Sequence, residues 1–469
     1  MTDHSCDVAI VGAGTAGLAA ERSARRAGAR TLLIDDRFAG TTCATVGCMP
    51  SKLLIAAAHS AHAVRQASLF GINVSEPKID GVAVLKRLRH ERDALVAATI
   101  KSIAKIPDGI RIKARARFVD RARLALDDGS IVSAKAVVIA TGSRPHVPKM
   151  FEPLGDRVLT NETIFELPDL PKSIAVVGAG PLGLELAQAL SRLGVETEVF
   201  DEGKQLASLR DEDVAAELKS ILTKEFAIHL GVSLSVTRFG EEVEISWKGQ
   251  SAGKKRFERV LVATGRPPDL RGLNLEAPGL ALDEHGTPQF DPETLQCGHA
   301  PVFMAGDAGA QRPVLHEASA EGTIAGRNAA NFPKTQPTKR NVAFSIMFTD
   351  PPLVVLGKPA AGDAVVGRSS YADQGRAKVE ARNSGLVRLF GERPEGRLVG
   401  AAMVGPGMDH IGHLLAWAIE RNETATEVLD HPFYHPTFEE GLKPALREIC
   451  NAVKAPSDPD LDDSAPSGG

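Results

Sequence analysis

An α/β fold, with two doubly wound sheets followed by a smaller α+β region, is predicted from three observations. The stretch "DVAIVGAGTAGLAAERSARRAGARTLLIDD" reads as an apolar strand at Val8 to Val11, a glycine turn, an alanine-rich helix and a second strand ending in acid. The same order recurs in "SIAVVGAGPLGLELAQALSRLGVETEVFDE", and the interval from first glycine to strand-end acid is identical, Gly12 to Asp35 and Gly178 to Asp201. After about Asn341 the texture changes to short strands and then helices, from "FSIMFTDPPLVVLG" to "HIGHLLAWAIERN".

Each repeated unit is a GxGxxG turn between a strand and a helix. The first glycine makes the tight turn, the second lets backbone approach a pyrophosphate, and the third lets helix and strand pack closely. The anion rests on the helix N-terminus, where free N–H groups and the dipole favour it. Gly12, Gly14 and Gly17 fit this pattern, as do Gly178, Gly180 and Gly183. Two such units predict two Rossmann-like dinucleotide-binding domains for two different dinucleotides. Asp35 and Asp201 are expected to accept hydrogen bonds from ribose hydroxyls. A carboxylate at that place repels a 2′-phosphate, and the segment after Asp201 carries Lys204 and Arg210 but no arginine at the strand end, so NADH is favoured over NADPH.

Further along, "AVVIATGSRP" (136–145) and "RVLVATGRPP" (259–268) are matching strand-and-turn segments expected to close each nucleotide-binding sheet. The proline-rich stretch 145–171 is expected to be a linker, with a second boundary near 267–272. The segment "PVFMAGDAGAQRPVLHEASAEG" (301–322) reads as strand, turn and helix. From Pro456 the polar tail is expected to be disordered.

A chain of 469 residues is long enough for about three domains. A formal net charge of -4 argues against a nucleic acid or an anionic membrane as partner. No apolar run reaches membrane-spanning length, and the N-terminus lacks the basic start and apolar core of a secretory signal, so a cytoplasmic protein is expected. Five cysteines cannot form a secreted disulfide framework. Cys6, Cys297 and Cys450 are isolated and read as inert.

"TTCATVGCMPSK" (41–52) is different, because it places Cys43 and Cys48 five positions apart. A regular helix would separate them by about 7.5 Å of rise and roughly 140° of rotation. Their Cα atoms would then exceed the usual disulfide limit of about 7 Å. If they bridge, the backbone between them must tighten, and Gly47 is the residue expected to permit it. A zinc pair needs further ligands that no second pair supplies, so no metal site is expected. Packed thiols leave Gly47 and Pro50 unexplained. Pro50 fits the first turn of a following helix, which would set Cys48 at the positive end of its dipole and favour a thiolate.

This stretch closely resembles the redox-active segment of the class I pyridine nucleotide-disulfide oxidoreductases, and the likeness runs from about Asp7 to Ile449. Within the family it is most like the dihydrolipoamide dehydrogenase branch. The resemblance implies FAD on the first glycine loop, NAD(P)H on the second and a C-terminal α+β dimerisation domain. It divides the chain into an FAD-binding domain (1–155, with a second, central part at 271–340), an NAD-binding domain (156–270), the interface domain (341–455) and the tail (456–469). Thr42, Thr141, Gly142 and Gly265 join the nucleotide-binding sets, and Asp307 of "MAGDAG" is implied to bind the ribityl or adjacent phosphate region.

By the same resemblance Cys43 exchanges with substrate, and Cys48 is the thiolate nearest the flavin. Lys52 and Glu185 match the family's buried ion pair beside flavin and nicotinamide. His435 of "YHPTFEEGLKPAL" matches the general base, with Glu440 orienting its ring. That histidine would come from the other subunit, which implies a homodimer with shared active sites. The nearby His410, His413 and His431 read as structural or surface residues. A dihydrolipoyl group on a protein, or another dithiol, is the implied reductant.

Three features point to the lipoyl branch: the Asp201 signal, the run "HEASAEG" (316–322) and the absence of an appended metal-binding domain or terminal cysteine pair. Three depart from it: Thr41 in place of a glycine, Tyr434 before the histidine, and "FTDPP" (348–352), which looks more like the mercuric and glutathione branches. The alternatives are an NAD(P)H-dependent disulfide or metal-ion reductase and a non-catalytic flavoprotein interaction partner.

Overall fold

Strands that are apolar at every position, rather than at alternate ones, belong to sheets covered on both faces. Val8, Ala9 and Ile10 are fully buried, and so are Ile174, Ala175 and Val176. The structure is a computed structural model that describes residues 3–358 and 362–457. Its first strands are β1 (His4–Val11), β2 (Thr31–Ile34), β3 (Arg111–Ile112), β4 (Ala116–Phe118), β5 (Arg123–Leu126) and β6 (Ile131–Ile139). They form a sheet in the order β3-β2-β1-β6-β5-β4. The helices α1 (Thr15–Arg26), α2 (Thr42–Thr45), α3 (Cys48–Gln66) and α4 (Gly81–Ile103) lie within the same stretch of chain.

The second sheet comprises β7 (Val158–Leu159), β8 (Ser173–Val177), β9 (Glu196–Asp201), β10 (Ala227–Leu230) and, after a three-stranded meander of β11 (Val232–Phe239), β12 (Glu242–Gly249) and β13 (Gly253–Phe257), β14 (Arg259–Val262). Its order is β10-β9-β8-β14-β7. Helices α5 (Pro181–Arg192) and α6 (Glu212–Leu222) accompany it. The chain then returns: β15 (Val302–Met304) pairs in parallel with β6 of the first sheet. The last five strands, β16 (Phe344–Met347), β17 (Leu353–Gly357), β18 (Val365–Ser370), β19 (Leu386–Glu392) and β20 (Arg397–Val404), form an antiparallel sheet ordered β16-β17-β20-β19-β18.

Two sequence expectations change here. The matched strands β6 and β14 lie inside their sheets, each parallel to the strand that precedes its glycine turn, and do not close an edge. The supposed linker 145–171 contributes β7, which pairs with β14, so part of it belongs to the second sheet. Short apolar pairs such as Val158 and Leu159 are too brief to show a strand period in sequence. The expected tail lies outside the described residues from position 458 onward. Among the described residues, no helix is long and apolar enough to cross a membrane.

Helix α7 (Leu315–Asn331) packs on α1 at backbone distance. A Cβ on Gly322 or Gly326 would collide with the carbonyls of Ala16 and Ala20 respectively. Gly326→Val is therefore expected to force the helices apart and cost about 1–3 kcal/mol, read as a lower urea midpoint. The expectation fails if the midpoint is unchanged.

Candidate active site

The redox loop departs from a continuous helix at one place. Helix α2 turns once, stops at Val46, and α3 restarts at Cys48 with Gly47 as its N-cap. Gly47 has φ -111 and ψ -119, outside the left-handed region, so left-handed freedom is not what the loop uses. Space is the reason: a Cβ there would lie 2.8 Å from the Thr42 carbonyl oxygen and 3.1 Å from the Cys43 Cα. The tightening brings the two cysteines, both free thiols, into hydrogen-bond contact.

Cys48 occupies the first turn of α3, where unpaired N–H groups favour an anion. Its thiol is lowered to about 6, first by the hydrogen bond from Cys43 and then by the Lys52 charge. Cys43 moves the other way, chiefly because it donates that bond and partly through burial. The reduced pair thus carries a thiolate on Cys48 and a proton on Cys43. A lowered folded-state value stabilises the fold fully above the unfolded value near 9.0, and this contribution is lost as pH falls toward about 6. Relative to Cys48→Ser, the reduced protein is expected to gain stability between those limits as pH rises. The thiolate absorbance should follow the same midpoint, and Lys52→Met should raise it; a midpoint that stays near 9 in the parent overturns the assignment.

One turn further along α3, Lys52 Nζ lies 2.6 Å from Glu185 Oε2 on α5. The other carboxylate oxygen accepts the Phe348 backbone N–H at 2.8 Å, and the Phe348 ring stands 4.5 Å from the ammonium. Glu185 is buried and Lys52 partly so, which makes each the condition for the other's charge.

The two glycine loops are superimposable in their constraints. Gly12 and Gly178 have φ +105 and +116, and a Cβ on either would strike the carbonyl of Ala140 or Ala263. Gly17 and Gly183 press on the carbonyls of Gly12 and Gly178, whereas Gly14 and Gly180 face open space at the start of α1 and α5. Asp35 Oδ2 accepts from Ala13 N at 2.8 Å and Asp201 Oδ2 from Ala179 N at 2.6 Å, so each strand-end acid ties down its loop.

A cavity of about 730 Å³ is lined by Gly12, Asp35 and Thr141, and one of about 590 Å³ by Gly178, Gly180, Asp201 and Gly265. Among the described residues the buried Thr141 hydroxyl has no partner, an orphan that a bound group would satisfy. Together with the open cradle at Gly14, it fits a dinucleotide. Asp307 Oδ2 accepts from Ser143 Oγ at 2.8 Å, beside the Gly142 turn. Thr42 is exposed at the start of α2.

His435 lies elsewhere in the chain. Its Nδ1 is 3.2 Å from both carboxylate oxygens of Glu440, and the ring is largely exposed while the carboxylate is buried. Glu440 also accepts the Thr437 N–H at 3.0 Å, which fixes the acid that fixes the ring. No hydrogen bond among the described residues joins His435 to Cys43 or Cys48.

A family profile described as pyridine nucleotide-disulphide oxidoreductase matches residues 6–322, and the profile of that family's dimerisation domain matches residues 344–446. The chain belongs to this family. Such oxidoreductases are FAD-dependent and use NAD(P)H. The protein is 29% identical over 456 residues to a dihydrolipoyl dehydrogenase of Bacillus subtilis, covering 94% of this chain and 97% of the relative. It is 31% identical over 464 residues to a mercuric reductase of Acidithiobacillus ferrooxidans, covering 95% and 83%. Among solved structures, LpdA of Mycobacterium tuberculosis shares the fold with a TM-score of 0.82 at 23% identity, covering 95% of this chain and 99% of that one.

In this oxidoreductase the isolated cysteines are buried, and burial pushes the thiols of Cys6 and Cys297 up to about 12. His431 pairs with Glu423 at 3.0 Å and His413 with the Asp409 carbonyl at 2.9 Å. Sequence reasoning missed Ser143, Asn161 and Arg266. The one available signal was the offset between "ATGSRP" and "ATGRPP", which puts a serine after one turn and an arginine after the other.

Proposed function

We propose that this flavin-dependent oxidoreductase oxidises protein-bound dihydrolipoyl groups with NAD⁺, as a homodimer in which His435 serves the cysteines of the other chain. The observation that supports NAD⁺ is the rim of the second cavity. Asp201 and Glu202 line it together, neither Lys204 nor Arg210 does, and Arg266 there is committed to Asn161 and Ser143. Two carboxylates disfavour a 2′-phosphate. Gly12, Gly14, Gly17, Asp35, Thr42, Lys52, Thr141, Gly142 and Asp307 would hold FAD. Gly178, Gly180, Gly183, Asp201 and Gly265 would hold the nicotinamide cofactor. When bound, FAD supplies two-electron exchange between the cysteine pair and the nicotinamide.

The chain's own part begins with its Cys43–Cys48 disulfide. His435 of the partner subunit takes a proton from the first substrate thiol, and the thiolate attacks Cys43 Sγ. The Cys43–Cys48 bond breaks, and Cys48 leaves as the thiolate that Lys52 stabilises. The second substrate sulfur attacks the first, which closes the product disulfide and releases Cys43. One substrate proton ends on Cys43, and the other stays on His435 until solvent takes it. Glu440 holds the ring throughout.

The second reading, an NAD(P)H-driven disulfide or metal-ion reductase, draws support from the loop "FTDPP" and from the mercuric reductase relatives at similar identity. The two readings separate on initial rates of the FAD-loaded protein. Dihydrolipoamide with NAD⁺ should exceed NADPH with oxidised glutathione or with Hg(II), and the reverse order sinks the lipoyl reading.

A further inference from the structure

A break between two helices leaves carbonyls without helical partners. At the end of α2, the Thr42 carbonyl is used by Val46 N, but residue 50, four on from Val46, is a proline with no N–H to offer the Val46 carbonyl. Asn161 supplies the missing donor: its Nδ2 lies 2.8 Å from Val46 O, across 115 residues of chain, and the side chain is buried. The other end of the amide accepts from Arg266 Nη1 at 2.8 Å. Arg266 in turn grips Ser143, through the carbonyl at 2.8 Å and the hydroxyl at 3.3 Å, and that hydroxyl donates to Asp307 at 2.8 Å. Arg266 donates to both sides, so the donations run outward from its charge, through Asn161 to Val46 and through Ser143 to Asp307, and each arm is polarised by the guanidinium.

The chain joins three places. Asp307 and Ser143 belong to the first nucleotide-binding unit, Arg266 and Asn161 line the second cavity, and Val46 is the last residue before the Gly47 break. Arg266 is half-buried, and desolvation works against its charge, so its bonds to Asn161 and Ser143 offset a real cost.

We propose that Asn161 is a positioning residue: it caps α2 from outside the loop and, held by Arg266, fixes the break that presents Cys43 to Cys48. The proposal rests on the reading of these two cysteines as the redox pair. Without the cap, the Val46–Gly47 peptide is freed to turn toward water, α2 and α3 lose their fixed relation, and the thiols meet less often. Disulfide formation, in which the pair loses two electrons and two protons to an added disulfide that becomes two thiols, should then become less favourable.

The test equilibrates the FAD-loaded protein in glutathione redox buffers and counts alkylated thiols by mass spectrometry. In Asn161→Ala the equilibrium constant for the Cys43–Cys48 bond should fall about tenfold, the loss expected for one buried hydrogen bond. The Cys48 thiolate midpoint should rise as the Cys43 bond loosens. Asn161→Asp keeps an acceptor for Arg266 and sets a carboxylate oxygen where the donor to Val46 stood, so it should shift both readings in the same direction even if the alanine variant folds poorly. Asn328→Ala removes a different buried amide, bonded to the carbonyls of Thr294 and Gln336, and should leave both unchanged. If the Asn161 variants lose thermal stability but keep the parent redox constant and thiolate midpoint, or if Asn328→Ala shifts them equally, the proposal is overturned. If the parent protein forms no Cys43–Cys48 bond in any buffer, the underlying reading of the pair fails instead.

Discussion

Cys43→Ser is expected to lower dithiol-linked turnover of the FAD-loaded protein by at least about a thousandfold, the scale on which removal of a reacting nucleophile acts. Neither nucleotide cavity includes Cys43 among its lining residues, so cofactor retention and the NADH-dependent reduction of a small quinone should persist. That pairing of losses separates a broken relay from a broken fold. Cys43 is the protonated member of the pair, and Cys43→Ala, which unlike serine leaves no donor, removes the hydrogen bond that lowers Cys48. The alanine variant should therefore also raise the Cys48 thiolate midpoint, measured by ultraviolet titration. Dithiol turnover near the parent rate would refute the relay.

His435→Gln is the second large effect, a loss of about 10²–10⁴-fold in the same assay, as for removal of a general base. The ring is largely exposed and the Glu440 carboxylate beneath it is buried, an arrangement suited to a base that faces something outside its own chain. A hybrid tests where it acts. Dimers formed from one Cys43→Ser chain and one His435→Gln chain have one intact site if the histidine crosses the interface, and none if it serves its own chain. Roughly half of the parent activity is expected for each hybrid dimer. Hybrids as inactive as the parental variants would place the base in cis.

The parts of this molecule that a reader finds in the sequence are those whose partners are near in the chain. Gly12 and Gly178 announce themselves because strand, turn and helix follow in order, whereas His435 with Glu440 needed the family resemblance although only five residues separate them. Lys52 and Glu185, 133 residues apart, needed the family resemblance, since either one alone reads as a solvated helix charge. Asn161 had neither kind of signal: its partners are Val46 and Arg266, each more than a hundred residues away. Gly47 was legible as the residue that lets the loop tighten, but the room it leaves beside Thr42 and Cys43 shows only in the folded chain. The stretch 145–171 read as a linker because prolines mask a two-residue strand that only its neighbour β14 defines.

Helix α5 faces the loop before β17 with Glu185, Gln188 and Arg192, spaced so that all three lie on one side. Glu185 takes the Phe348 N–H, Gln188 bonds both backbone groups of Asp350, and Arg192 grips the Asp350 carboxylate at 2.8 Å and Glu225 at 2.7 Å. Arg192 is buried, so stranding it would cost about 3–5 kcal/mol. A chimera whose borrowed C-terminal third had any residue but aspartate at 350 would leave this grip unmatched unless positions 188, 192 and 225 travelled with it. Exchange of parts among such oxidoreductases is thereby restricted at a contact that also holds the carboxylate paired with Lys52.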